Sequence, residues 1–136
     1  MSYLLDTNAC IALINDRPIA VREKFQSVLE QRDRVALSSV VLFELWYGVA
    51  KSQLQERNTE RLAVFMSPFE VLTFDDEDAR IAGTIRAALE RAGTPIGAYD
   101  VLIAGQAIRH DLVLVTANVT EFSRVDHLRW EDWSAV

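Results

Sequence analysis

The chain has 136 residues, of which 50% are hydrophobic and 25% are charged. This composition excludes a disordered or fibrous protein, and the length predicts a single domain over residues 1–136. The net charge of −6 argues against a general nucleic-acid coat protein, because nonspecific affinity comes from neutralising phosphates with Lys and Arg. The charge does not exclude an enzyme that acts on RNA, and it suits a basic protein partner.

The sequence predicts a cytoplasmic protein without a membrane segment. Its single cysteine, Cys10, cannot form an intrachain disulfide, which favours a reducing compartment. No basic and apolar leader precedes Leu4, and no apolar run approaches the length that crosses a bilayer.

Patterns typical of strands and helices alternate along the chain. The first part of the chain predicts a strand running into Asp6, a helix over about 7–14, a helix from Pro18, a strand over 34–37 and a helix capped by Ser38 or Ser39. The middle predicts a helix from Thr59, a strand within 69–74 and a helix starting at the acidic run 75–78. The last part predicts a helix over 98–107 and a strand over 112–115. Leu128, Trp130 and Trp133 then predict a tail that closes on the core. The alternation favours an α/β fold with a parallel sheet covered on both faces.

The stretch Asp6, Thr7 and Asn8 places polar side chains directly after the first strand. In an open α/β sheet, ligands bind at the carboxyl ends of strands, so Asp6 is a candidate for chemistry. A helix N-cap is the competing interpretation, because an Asp or Asn before a helix satisfies unpaired backbone N–H groups. Right-handed crossovers would bring the ends of the first and last strands to one edge, near Asn118 and Glu121.

Two further acids stand out, and one acidic run does not. Glu44 lies in the stretch 40–47, which is apolar nearly all round and predicts a buried helix; a buried carboxylate must protonate, pair or bind a metal. Asp100 falls in the first turn of a helix, where a cap or dipole role competes with a site role. The run Asp75 to Asp78 is interpreted as a cap.

Four acids, Asp6, Glu44, Asp100 and Glu121, therefore predict one shared pocket. Carboxylates without a basic partner repel one another, and a hard divalent cation with oxygen ligands relieves that repulsion. The chemistry this implies is metal-assisted phosphodiester hydrolysis. His110 and His127 show no metal-ligand spacing and are expected at the surface or in loops, and the chain has neither a serine elbow nor a glycine-rich phosphate loop.

The same residues carry a resemblance that spans nearly the whole chain in order. The matching pieces are Leu5-Asp6-Thr7-Asn8, Ser38-Ser39 through Glu44-Leu45 to Tyr47-Gly48, Gly93-Thr94-Pro95-Ile96-Gly97 with Tyr99-Asp100 and Ile103-Ala104, Val115-Thr116 with Asn118, Glu121-Phe122, and Arg129-Trp130-Glu131-Asp132-Trp133. In these pieces the chain resembles the PIN-domain ribonucleases, and in particular the VapC toxins of VapB–VapC toxin–antitoxin pairs.

The resemblance implies a PIN-like α/β/α sandwich with a parallel sheet of about five strands. It implies a toxin that is a metal-dependent endoribonuclease using Mg²⁺, or Mn²⁺, with Asp6, Glu44 and Asp100 as principal acids. Asn118 stands nearest the family's variable fourth position but carries no charge, so Glu121 is the expected fourth carboxylate. The residues expected to orient ligands or touch substrate are Thr7, Asn8, Ser38, Thr116 and Asn118. Ala117 breaks the usual double Asn after the strand.

The resemblance also implies partners. They are an RNA substrate, a second copy of the chain in a homodimer, and a small basic VapB-like antitoxin through which promoter DNA is bound. The segment 45–48 and the Arg57-Asn58 region resemble the subgroup that cuts initiator tRNA in the anticodon stem-loop. Two alternatives remain open at this point: an inactive PIN-like interaction module, and a phosphatase with Asp6 as nucleophile, which is disfavoured because such enzymes usually have a second Asp where this chain has Asn8.

Overall fold

A computed structural model describes residues 1–135 of the chain. Its strands are β1 (Ser2–Leu5), β2 (Arg34–Ser38), β3 (Glu70–Leu72), β4 (Val113–Val115) and β5 (Trp130–Glu131). Its helices are α1 (Thr7–Asn15), α2 (Ile19–Glu30), α3 (Ser39–Ala50), α4 (Gln55–Met66), α5 (Asp76–Arg91), α6 (Ala98–Arg109) and α7 (Val119–Phe122). The strands form one parallel sheet in the order β3-β2-β1-β4-β5.

The central strand β1 determines the position of Asp6, which directly follows it. Leu4 and Leu5 are fully buried, and Leu5 lies beside Leu37 of β2 and Val115 of β4. The Asp6 amide continues the ladder by donating to the Val115 carbonyl at 3.0 Å. The first and fourth strands are therefore neighbours whose carboxyl ends open at one edge, as the crossover rule predicts.

The helix starts follow the capping residues in the sequence. The buried Ser38 hydroxyl accepts from the Val40 amide at 3.0 Å and caps α3. Asp75 and Asp78 form a capping box in which each side chain accepts from the other residue's backbone N–H at 3.0 Å. The guanidinium of Arg109 pairs with both carboxylates. The interpretation of this acidic run as a cap is confirmed.

The predicted burial of helix α3 is wrong. Val41 and Leu45 face the core, but Phe43 and Tyr47 are 54% and 60% exposed, and Glu44 is only half-buried. Helices α1, α4 and α6 cover one side of α3 and leave the other side uncovered. The apolar residues of α3 therefore include both core residues and exposed residues. None of the helices within residues 1–135 combines the length and hydrophobicity needed to cross a bilayer.

One helix boundary and the tail also differ from the sequence prediction. Helix α4 begins at Gln55 rather than at Thr59. The tail adds β5 at the sheet edge, and its short length explains why no alternation was visible. The expected closure on the core is confirmed at Leu128, which packs against it, and at Trp133, which is buried against Tyr3 with ring centroids 5.4 Å apart. It is wrong at Trp130, which is exposed.

Candidate active site

The four candidate acids converge at the carboxyl edge of the sheet, each carried by a different element. Asp6 follows β1, Glu44 lies in α3, Asp100 in the first turn of α6, and Glu121 in α7. The charges of Glu121, Asp6 and Glu44 all help to raise the pKa of Asp100, which places the four side chains within electrostatic reach. Among the described residues no Lys or Arg forms an ion pair with any of them.

Asp6 is the most buried of the four, with 5% of its surface exposed. One carboxylate oxygen, Oδ1, accepts from the Ala9 amide at 2.7 Å, so Asp6 is the N-cap of α1. Burial raises its pKa; hydrogen bonds from the Thr116 side chain and the Ala9 amide oppose that rise, and the charges of Glu44 and Asp132 add to it. The N-cap role and the site role of Asp6 are thus compatible, because the capping hydrogen bond occupies only one of the two carboxylate oxygens.

Glu44 reaches the site through a hydrogen bond rather than through burial. The Thr7 hydroxyl donates to Glu44 Oε1 at 2.8 Å, which ties α1 to α3 next to Asp6. Because the Glu44 side chain is only half-buried, burial does not force it to protonate, pair or bind a metal. The position of Glu44 beside Asp6 now supports its candidacy.

Asp100 and Glu121 form the second half of the cluster. Burial, a hydrogen bond shared with Glu121 and the neighbouring negative charges raise the pKa of Asp100 to about 7. The Asn118 amide donates to Glu121 Oε2 at 2.6 Å and fixes that carboxylate. A Cβ atom at Gly97 would lie 3.2 Å from Asp100 Oδ2, so the glycine leaves room for the carboxylate.

Some of the residues predicted to orient ligands or touch substrate contact the four acids, and others do not. Thr116, which is buried, bonds Asp6 and also accepts from the Asn118 amide at 2.9 Å. Ser38 is occupied in capping α3, and Asn8 is exposed beside the acids without a side-chain bond within residues 1–135. Asp132, directly after β5, was missed by sequence reasoning although its charge reaches Asp6.

Neither histidine joins the cluster. His110 follows α6 and lies 3.6 Å from the buried Asp78, so the expectation of a surface or loop position is only partly right. His127 is an exposed loop residue with a positive φ of 69°. The chemistry of the site therefore depends on carboxylates, amides and hydroxyls.

The donor set fits a hard divalent cation. Carboxylate oxygens are the ligands such cations prefer. Burial first, and then the charges of neighbouring carboxylates, raise the pKa of Asp6 and Asp100, and a cation would compensate both effects. Within residues 1–135, however, no three His, Cys, Asp or Glu side chains already stand close enough to enclose an ion. The metal site therefore stays a prediction.

Comparison with known proteins identifies the family. A model of the PIN domain matches residues 3–128. The chain is 45% identical over 134 residues to a Shigella flexneri protein named tRNA(fMet)-specific endonuclease VapC, covering 98% of this chain and 99% of the relative. The chain belongs to the VapC family of PIN-domain ribonucleases.

Two solved VapC-containing complexes have the same fold. The structure of VapBC2 from Rickettsia felis bound to a DNA fragment from its promoter superposes with a TM-score of 0.91 at 38% identity, over 98% of this chain and 99% of that one. DNA-bound VapBC from Salmonella typhimurium gives 0.89 at 44% identity, over 98% of both chains. The expected α/β fold with a five-strand parallel sheet is confirmed.

Proposed function

We propose that this VapC-family chain is the toxin of a VapB–VapC pair and hydrolyses phosphodiester bonds of initiator tRNA in the cytoplasm, with Mg²⁺ as the cofactor. The observation that carries the proposal is the convergence of Asp6, Glu44, Asp100 and Glu121 without a basic partner. The tRNA class is supported by the relative at 45% identity, whose name specifies tRNA(fMet).

The four carboxylates would hold the cation, with Mn²⁺ as a possible substitute of similar ligand preference. When bound, the ion supplies a polarised water and stabilises negative charge on the phosphate. Asp6 is held in one orientation because its Oδ1 accepts from the Ala9 amide. The raised pKa of Asp100 lets this carboxyl keep a proton near neutral pH. Because a cation binds the deprotonated form, metal affinity should rise with pH.

Three neighbours orient the acids. Thr7 fixes one oxygen of Glu44, Asn118 fixes one oxygen of Glu121, and Thr116 bonds Asp6. Groups of this kind keep ligands in one rotamer and reduce the reorganisation needed when a cation binds.

The proposed partners follow from the net charge of −6 and from two solved relatives, which are VapBC complexes bound to DNA, in one case a promoter fragment. A basic VapB-like antitoxin would inhibit by placing Arg on the carboxylates, where it competes with the cation. Promoter binding would act through the antitoxin. We further propose a homodimer, consistent with the uncovered aromatic face of α3.

Mapping RNA ends after brief induced expression tests the function. New 5′ ends within the anticodon stem-loop of initiator tRNA are expected for the wild type, and none for Asp6→Asn. An exposed loop carboxylate serves as the matched control, because Asp126→Asn should cut like wild type. Unchanged RNA ends in the wild type, together with no Mg²⁺ binding by calorimetry, would instead favour an inactive interaction module.

A further inference from the structure

A cavity of about 320 Å³ is lined by residues around Asp6 rather than by the four acids themselves. It lies between α1, the start of α2 and the ends of β4 and β5, and its lining includes Asn8, Thr116 and Asp132 next to Asp6. Ile11 and Pro18 contribute apolar walls, so the cavity combines apolar surface with a few hydrogen-bonding groups. This composition is typical of a pocket that binds a small, flat ligand group.

Arg17 adds a positive charge to a lining that also contains Asp132. It lines the cavity and is exposed, and its guanidinium forms neither a hydrogen bond nor an ion pair with any residue of 1–135. Arg22, five residues later, differs because it bonds Asp16 at 2.9 Å and the Leu13 carbonyl at 2.7 Å. Arg17 is therefore available to an anion outside the chain.

We propose that this cavity binds the nucleoside next to the scissile phosphate of single-stranded RNA, and that Arg17 binds the following phosphate. The proposal rests on the ribonuclease function proposed above. A substrate whose phosphate lies at the carboxylates must continue into an adjoining space. This cavity borders Asn8, two residues after Asp6, and Thr116, which bonds Asp6. Unpaired bases can leave the stack and enter such pockets, where polar groups bind their edges.

Charge favours RNA over an antitoxin segment as the occupant. A basic antitoxin is attracted to the carboxylates, including Asp132 of the lining, but is repelled by Arg17. A phosphate beyond the nucleoside is attracted by Arg17, which forms no ion pair with any residue of 1–135. An anionic chain fits both positions: a cation would bind its reacting phosphate to the four acids, and Arg17 would bind its next phosphate. Arg17 is thus assigned a substrate-positioning role.

Two exposed positions test the cavity without disturbing the core. Arg17→Gln removes the charge, and Ala117→Leu adds bulk at the lining. The control Arg91→Gln removes an equally exposed arginine at the end of α5, outside this lining. Each change is made in the wild type for cleavage kinetics and in the Asp100→Asn background for binding, and thermal unfolding verifies that the variants fold.

The probe is a fluorescent anticodon stem-loop of initiator tRNA, with anisotropy measured from about 50 to 200 mM salt. Arg17→Gln should weaken binding about tenfold, the size of one charge-assisted contact. Its salt dependence should also become shallower, by about 0.7 in the slope of log affinity against log salt, as for one lost phosphate contact on single strands. Ala117→Leu should weaken binding and raise KM with the slope unchanged.

The outcomes separate this proposal from the proposed function. If the wild type cuts and binds the RNA but both cavity variants behave like Arg91→Gln, the nucleoside subsite is wrong and the ribonuclease function stands. If the variants keep full cleavage yet escape inhibition by the cognate antitoxin, the cavity is an antitoxin site. If the wild type neither binds nor cuts this RNA, the proposed tRNA substrate itself fails.

Discussion

Replacing Asp100 with Asn should have opposite effects on activity and on the stability of the metal-free protein. Partial burial, a hydrogen bond with Glu121 and the charges of Glu121, Asp6 and Glu44 raise the pKa of Asp100 to about 7. Asn keeps the shape and an amide that can donate to Glu121, but it removes one negative charge. We therefore expect Asp100→Asn to abolish RNA cleavage while raising the unfolding temperature in EDTA.

The size of the stabilisation follows from the pKa. A rise from the ordinary value of 3.8 to about 7 corresponds to about 4 kcal/mol of unfavourable interaction in the ionised form. Because Asp100 is partly exposed, solvent screening reduces this to about 1 kcal/mol. For a domain of this size that change raises the unfolding temperature by about 3 °C.

The pH dependence gives a second check with a defined sign. The folded state binds the Asp100 proton more tightly than the unfolded chain, so this residue lowers stability as pH rises from about 4 to 7. The gain from Asp100→Asn should therefore be present at pH 8 and nearly absent below pH 4. Thermal unfolding in EDTA across this range, with Asp126→Asn as control, measures it. A variant that is less stable than wild type at pH 8, or that still cuts RNA, would refute the reasoning.

Two other changes have expected outcomes. Asn118→Ala should leave Glu121 free to rotate and lower Mg²⁺ affinity by about tenfold, measured by calorimetry, with little change in unfolding temperature; equal affinity in both proteins would contradict this. Gly105→Ala should cost about 1 to 3 kcal/mol in denaturant unfolding, because its Cβ would lie 3.0 Å from Ala82 backbone atoms. Gly83→Ala, with no atom within 4 Å of its Cβ, should be neutral or stabilising, and a reversed order would disprove this account.

Elements with strong periodicity could be predicted from the sequence, and elements defined by tertiary pairing could not. The caps at Ser38 and Asp75 are local, since a side chain bonds a backbone group two or three residues away. The strand Trp130–Glu131 exists because β4 offers it an edge, and two residues cannot display an alternating pattern. Asp132 was missed for the same reason, because its place near Asp6 depends on that pairing.

Helix α3 shows a different limit. Its apolar sequence predicts burial, yet burial depends on how many neighbours cover the helix, which composition does not encode. Phe43 contacts Tyr99 with ring centroids 5.6 Å apart, and both rings remain exposed. Glu44 was selected on the premise of burial, but it belongs to the cluster through the Thr7 hydroxyl.

Asn118 and Glu121 were competing candidates for the fourth position, and the structure places them in one hydrogen-bonded pair. The amide of Asn118 bonds Glu121 Oε2, and its own backbone N–H is held by Thr116, which also bonds Asp6. An Asp at 118 would repel Glu121, whereas Asn orients it. The absence of a charge on Asn118 is therefore compatible with a site of four acids. Glu121 supplies the fourth carboxylate, and Asn118 holds that carboxylate in place.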